Sequence, residues 1–180
     1  MLQITISANS FWDEEKEEFV SIKGQTLQLE HSLVSVSKWE SKWCKPFLTN
    51  KEKTPEEIID YIKCMTLTQN VKPETYAGLT QEHLNQVRDY IAAPMTATTF
   101  HTEEKGKMNG EQITSELMYY WMIALNIPVK FEKWHLNRLL TLVRVCNIKN
   151  QPPKKMSRSE IMNRNAALNA ARRKQFNSKG

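Results

Sequence analysis

Histidine and cysteine side chains supply many of the nucleophiles and proton carriers in enzymes, and this chain has four histidines and three cysteines. A nucleophile and its base must lie within about 2.6–3.2 Å of each other. His135 and Cys146 stand eleven residues apart on one predicted helix. At a rise of about 1.5 Å per residue they would lie roughly 16 Å apart along its axis. They cannot form a catalytic dyad.

The spacing of the other potential ligands predicts neither a metal centre nor a cofactor site. Cys44, Cys64, His31 and His83 match no C-x-x-C, H-x-x-x-H or H-E-x-x-H pattern. The acidic run at 13–18 does not have calcium-loop spacing. There is no G-x-G-x-x-G or Walker A motif, and five glycines leave little from which to build a phosphate loop. We expect no catalytic residue, no metal and no cofactor, and hence a protein that is not an enzyme.

The elements that would position any site are β-rich first and helical afterwards. Residues 1–30 alternate in a strand-like way on both sides of the Gly-containing turn pair Lys23-Gly24, which predicts a small N-terminal β-hairpin or meander. From His31 the apolar residues recur at helical spacing. Thr54 and Thr80 are predicted helix N-caps, the first with Pro and Glu in a capping box. The predicted fold is mainly α.

The segment Tyr119–Cys146 is unusually rich in aromatic and aliphatic residues. Charged residues and Pro128 interrupt it, so it cannot provide the roughly 20 consecutive apolar residues of a membrane span. We predict two helices joined at 126–128, the second running from about Lys130 to Ile148, as a central helical hairpin. Most of its residues would be core, and its narrow polar stripe is a candidate partner-binding surface. The stripe consists of Asn137, Thr141 and Arg144.

Charge is distributed very unevenly along the chain. Residues 149–180 have nine basic residues and one acidic residue, a net charge of +8, whereas residues 1–148 have 16 basic and 19 acidic residues, a net charge of −3. Pro152-Pro153 predicts a boundary between a domain of residues 1–150 and a tail of residues 151–180. The tail's partner would be an acidic protein, a nucleic acid or an acidic surface of the chain itself.

The tail is predicted to form a basic C-terminal helix that begins at a Ser157–Glu160 capping box. Its apolar content is small, so it would be a solvated appendage, a protein-docking helix or a nucleic-acid binder. The aromatic residues with which single-strand binders stack bases are not interleaved in it. Its candidate partner-binding residues are Arg158, Arg164, Arg172, Arg173 and Lys174.

The N-terminal residues lack the basic start, apolar run and cleavage site of a secretory signal. Three widely spaced cysteines argue against a disulfide framework and fit a reducing cytosol. These features predict a cytoplasmic protein with free thiols.

Three stretches carry a resemblance to a known family: "HSLVSVSKWESKWCKPFL", "ITSELMYYWMIALNIPVKFEKWHLNRLLTLVRVC" and "RSEIMNRNAALNAARRKQF". Together they resemble small proteins encoded in the tail-gene region of long-tailed bacteriophages, and most of all the tail assembly chaperones. The pair Trp39 and Trp43 and the segment Tyr119–Cys146 are the most unusual parts of the likeness.

The resemblance implies a non-enzymatic protein that binds the phage tape measure protein and tail tube protein during tail morphogenesis in the host cytoplasm. Trp39 and Trp43 would join the polar stripe and the tail cations in binding these partners. A structural virion component at the neck or head–tail joint, self-associating through the same surfaces, is the first alternative. A nucleic-acid-binding regulator acting through the basic tail is the second. Nucleic acid is not the expected partner under the first hypothesis, and no membrane is expected.

Overall fold

The computed structural model describes residues 1–13, 17–49, 51–100, 112–151 and 157–177, and over these ranges the chain is mainly α-helical. The strands are β1 (Leu2–Ile6), β2 (Asn9–Asp13), β3 (Glu18–Ile22) and β4 (Gln25–Leu29). The helices are α1 (Leu33–Trp43), α2 (Pro55–Met65), α3 (Gln81–Ala92), α4 (Ser115–Ala124), α5 (Leu136–Asn150) and α6 (Arg158–Phe176). Short 3₁₀ helices cover Pro73–Gly78 and Val129–Lys133.

The four strands form one long antiparallel hairpin that is interrupted once. β1 pairs with β4, with Leu2 opposite Leu29, and β2 pairs with β3, with Asn9 opposite Ile22. Both ladders keep the same register, so the inner pair continues the outer pair after a gap at 7–8 and 23–24.

The predicted turn at Lys23-Gly24 is therefore wrong. Gly24 lies at the gap between the two ladders, where an added Cβ would stand 3.2 Å from the backbone nitrogen of Ala8. Glycine here permits a close approach of two backbones. The connection between the paired strands falls instead in the acidic run, at 14–17, of which only Glu17 lies within the described residues.

Local capping chemistry sets the helix starts. The capping boxes predicted at Thr54 and Ser157 are both present, with Glu57 and Glu160 returning a bond to the cap backbone. Thr80 caps α3 as predicted, accepting from the backbone N–H of His83. Each cap satisfies donors that the first helical turn cannot satisfy internally.

The core lies where the outer hairpin ladder meets the helices. Ile4, Ile6, Leu27 and Leu29 of the hairpin are fully buried. α1 packs against both α2 and α4. Full burial of such a side chain stabilises the fold by about 1.5–3 kcal/mol. The helices contribute mainly Leu33, Val36, Trp39, Ile62, Met65, Met118, Met122, Leu136 and Leu139.

The helical stretch predicted from about Lys130 begins later, at Leu136. An isolated β-bridge pairs His135 with Ser32, and the N–H of Leu136 donates to the carbonyl of His31. This tertiary pairing holds the backbone extended just before α5. Trp134 lies in the segment predicted to be mostly core, but it is half-buried, with the Arg138 guanidinium 4.0 Å from its ring centroid.

The chain divides into two compact units, Met1–Asn147 and Ile148–Gly180. The division lies three residues before the predicted boundary at residue 150, and independent folding of the parts stays a prediction. α6 has no buried residue. None of the described helices is long and apolar enough to cross a membrane.

Candidate binding site

The two tryptophans expected to contact a partner have different surroundings. Trp39 is only 2% exposed, and its indole N–H donates to the Glu57 carbonyl at 3.0 Å. Trp43 is half-buried, stacks on Trp39 and donates to a carboxylate oxygen of Asp60 at 3.0 Å. Trp39 was predicted as a partner-binding residue, but its ring is a core group with its one donor satisfied.

The polar stripe of α5 lies where the sequence placed it, but its bonds are to this chain. The Asn137 amide donates to the carbonyls of Ile91 and Ala93, at 2.9 and 2.8 Å, where α3 ends. Thr141 donates to the Asn137 carbonyl at 2.8 Å. The guanidinium of Arg144 lies 4.0 Å from the ring centroid of Phe100. Because a partly buried polar group needs a partner, these contacts give the stripe a structural role.

The cations of the tail remain at the surface. Every described residue of α6 is exposed, including four large apolar side chains. Arg158, Arg164, Arg172, Arg173 and Lys174 are therefore distributed along an accessible helix.

Among the residues that the structure describes, a buried cluster of histidine and tyrosine comes closest to a proton-transfer site. His31 Nδ1 and the Tyr61 hydroxyl lie 2.5 Å apart, and the hydroxyl of Ser35 lies 3.3 Å from that of Tyr61. Burial, with His135 nearby, lowers the pKa of His31 to about 3, and burial raises the pKa of Tyr61. Both groups are therefore neutral near pH 7. Solvent reaches 1% of His31 and 3% of Tyr61, so the cluster is a structural network.

The neighbouring His135 is fixed in one neutral form by its two ring bonds. Its Nε2 donates to the Tyr90 carbonyl at 3.0 Å, and its Nδ1 accepts from the N–H of Asn137 at 3.3 Å. Burial lowers its pKa. The Tyr90 hydroxyl donates to Glu30 at 2.7 Å. Within the described ranges, no three His, Cys, Asp or Glu side chains come together as a metal site.

An open apolar groove lies between α2 and α3, and residues of the segment after α1 also line it. Its volume is about 810 Å³. Leu48 and Ile58 are each 38% exposed in it, and Leu84 and Ile91 are half-buried. The remaining lining comprises Phe47, Thr49, Lys53, Pro55, Ile59, Tyr61, Ile62, Gln81, Val87 and Arg88.

The charges that line the groove are both positive. Lys53 is half-buried, donates to the Phe47 carbonyl at 2.9 Å and lies 4.3 Å from the centroid of the Phe47 ring. Burial lowers the pKa of Lys53, an effect that the nearby Glu57 carboxylate partly offsets. Arg88 is exposed. Among the described residues that line the groove, none has a carboxylate.

The sequence did not reveal this groove. Its apolar residues follow the same helical spacing as core residues, because a groove wall and a core face both need one apolar stripe per helix. The exposure of Ile58 and Leu84 depends on how far apart α2 and α3 stand, which no local pattern encodes. Comparisons with protein-family models, with curated proteins and with solved structures found no match for the chain.

Proposed function

We propose that this protein is a non-enzymatic tail assembly chaperone of a long-tailed bacteriophage. In this proposal it binds the tape measure protein and tail tube subunits in the host cytoplasm while the tail is built. Residues 1–150 form the client-binding body, with the N-terminal hairpin and the helices around α4 and α5 as its frame. Residues 151–180 form a basic arm. The choice of a phage chaperone rests on the sequence resemblance.

The observation that carries a binding function is the open apolar groove between α2 and α3. Apolar side chains that remain accessible in a groove gain about 25 cal/mol for each Å² removed from water when a partner covers them. An amphipathic helix lying in an apolar groove is a common way to bind a protein segment. A client held in this way has its own apolar face shielded from aggregation until it is used.

The buried state of the titratable side chains favours binding over catalysis. Among the described residues, the arrangement best suited to proton transfer consists of His31, Tyr61 and His135. Each of these side chains forms hydrogen bonds inside the core. A binding protein needs no such group at its surface.

The experiment is co-purification of the protein with the tape measure and tube proteins of its own phage. The variant Ile58→Glu places a charge in the groove and should abolish co-purification. The matched control is Ile123→Glu, because Ile123 is 72% exposed on α4 and does not line the groove. Both variants should retain the circular dichroism and melting temperature of the parent.

Failure of the parent protein to capture either client would refute the chaperone function. If Ile58→Glu and Ile123→Glu reduced co-purification equally, the groove would be refuted as the client-binding site. Detection of the protein in purified virions without client capture would favour the neck or head–tail joint component.

Exposure of the whole of α6 favours one second candidate, a nucleic-acid-binding regulator acting through this helix. When a protein neutralises DNA phosphates, its affinity for duplex DNA falls steeply as the salt concentration rises. The log–log slope is about −0.9 per phosphate. Retention of duplex DNA with such a slope, lost on changing Arg172 and Arg173 to Gln, would establish this candidate. A salt-independent or absent retention would remove it.

A further inference from the structure

The walls of the groove between α2 and α3 suit a helix as its occupant. The groove has a volume of about 810 Å³, and a helix with side chains is about 10 Å across. α2 presents Ile58, Ile59 and Ile62 to the groove, and α3 presents Leu84, Val87 and Ile91. A row of apolar side chains on a third helix could pack between these two rows.

The charges at the groove set a second requirement on its occupant. The carboxylate of Glu57 raises the pKa of Lys53 through its charge. It already accepts hydrogen bonds from Lys45 at 2.6 Å and from the backbone of Thr54 at 2.8 Å. Lys53 makes no direct ion pair within the described residues. Covering the groove with an uncharged helix would remove water from Lys53 and Arg88 without replacing it. Carboxylates on the occupant would offset this desolvation.

The rest of the chain does not provide such an occupant. α6 has exposed apolar residues but is strongly basic, so its charge matches the sign of the groove cations. Outside the described ranges the apolar residues are two methionines and two prolines, Met108, Met156, Pro152 and Pro153. No apolar stripe can be built from them. The positive charges of the groove therefore favour as occupant another molecule that brings carboxylates.

We propose that the groove binds an amphipathic helix whose apolar stripe is flanked by carboxylates, with Arg88 and Lys53 selecting for the acidic residues. This inference rests on the proposed function, because it names the chemistry of the client segment held in the same groove. Arg88 contributes most of the selection, since its guanidinium is exposed and can bind a carboxylate through two parallel hydrogen bonds.

The test uses two synthetic helical peptides of about 16 residues that share one leucine stripe. One peptide has glutamates beside the stripe and the other has lysines. Fluorescence anisotropy with the full chain should give an affinity about tenfold higher for the glutamate peptide, as expected for two charge pairs at a partly buried rim. Arg88→Glu should reduce this preference to unity or reverse it.

The matched control is Lys72→Glu, which makes the same change in net charge at an exposed residue outside the groove lining. It should leave the preference unchanged, and Arg88→Gln gives a milder second variant that should weaken it. Equal affinity for the two peptides would overturn the inference. So would an equal effect of the Arg88 and Lys72 variants, or binding of a small apolar dye in the groove with neither peptide binding.

The outcomes separate this inference from the proposed function. A glutamate preference that depends on Arg88, without capture of tape measure or tube protein, would support the acidic-helix site and refute the phage chaperone. Client capture that Ile58→Glu abolishes, with no charge preference between the peptides, would support the chaperone and refute the acidic-helix selection.

Discussion

Replacing Glu40 by glutamine should destabilise the protein although the two side chains have the same shape. Glu40 is 7% exposed. One of its oxygens accepts from the N–H of Phe47 and the other from the N–H of Ser115, both at 2.7 Å. This carboxylate therefore ties α1 to the segment that follows it and to the first turn of α4.

The amide group of glutamine can accept only one of these two bonds. Its NH₂ would face the other N–H, which leaves one buried donor unsatisfied at a cost of about 1–3 kcal/mol. The remaining bond also loses its charge assistance, worth about 1 kcal/mol. The expected loss is about 2–4 kcal/mol. It is smaller than the usual stability of about 5–15 kcal/mol, so the variant should still fold.

Urea unfolding followed by tryptophan fluorescence measures this loss. The urea concentration at the midpoint of unfolding should fall. The slope of the unfolding free energy against urea concentration should stay the same, because the surface exposed on unfolding does not change. Glu52→Gln, at an exposed side chain, should stay within about 0.5 kcal/mol of the parent. Hydrogen exchange should speed up at the amides of Phe47 or Ser115. A Glu40→Gln protein as stable as the Glu52→Gln control would refute this account of the carboxylate.

Four further predictions concern stability. In the unfolded chain His31 takes up a proton below about pH 6.5. In the folded chain the pKa of His31 is about 3, so the folded protein does not bind this proton until the pH is much lower. The free energy of unfolding should therefore fall by up to about 1.4 kcal/mol per unit as pH drops through this window, and His31→Gln should flatten that slope in urea titrations. Leu139→Ala should cost about 2–5 kcal/mol in the same assay, because Leu139 is 1% exposed. Cys44→Gly should raise the free energy of unfolding by about 1 kcal/mol, because Cys44 ends α1 in the left-handed conformation, with φ 51°, which glycine adopts more readily. A chain ending at Gln151 should unfold cooperatively in calorimetry, and a molten product would contradict the domain boundary.

The parts of the fold that could be predicted are those that local chemistry determines. Thr54 and Ser157 bond to backbone groups three residues away, so the sequence alone identifies these helix starts. The start of α5 could not be identified, because it depends on the pairing of His135 with Ser32, more than a hundred residues away. The misplaced turn has a similar origin. Glycine suits a turn and a close backbone approach equally, and only the partner strand distinguishes the two.

The candidate site shows the same limit more strongly. Trp39 and Trp43 were both predicted as partner-binding residues, but the sequence does not indicate which of two neighbouring rings faces the core. Asn137 was correctly placed on a polar stripe, and its partners at the end of α3 lie more than 40 residues away in the sequence. The groove depends on the separation of two helices. Such a separation is a property of the packed chain.

The contact between Glu40 and Ser115 also sets an order of events during synthesis. The N-terminal hairpin can pair fully once residue 29 has left the ribosome, but Glu40 must wait for a residue 75 positions further along. At about 5–20 residues per second this wait lasts roughly 4–15 s. During that time α1 is present without α4, whose Met118 and Met122 are buried in the finished protein. The side of α1 that packs against α4 in the finished protein therefore stays uncovered by α4 for seconds in the nascent chain.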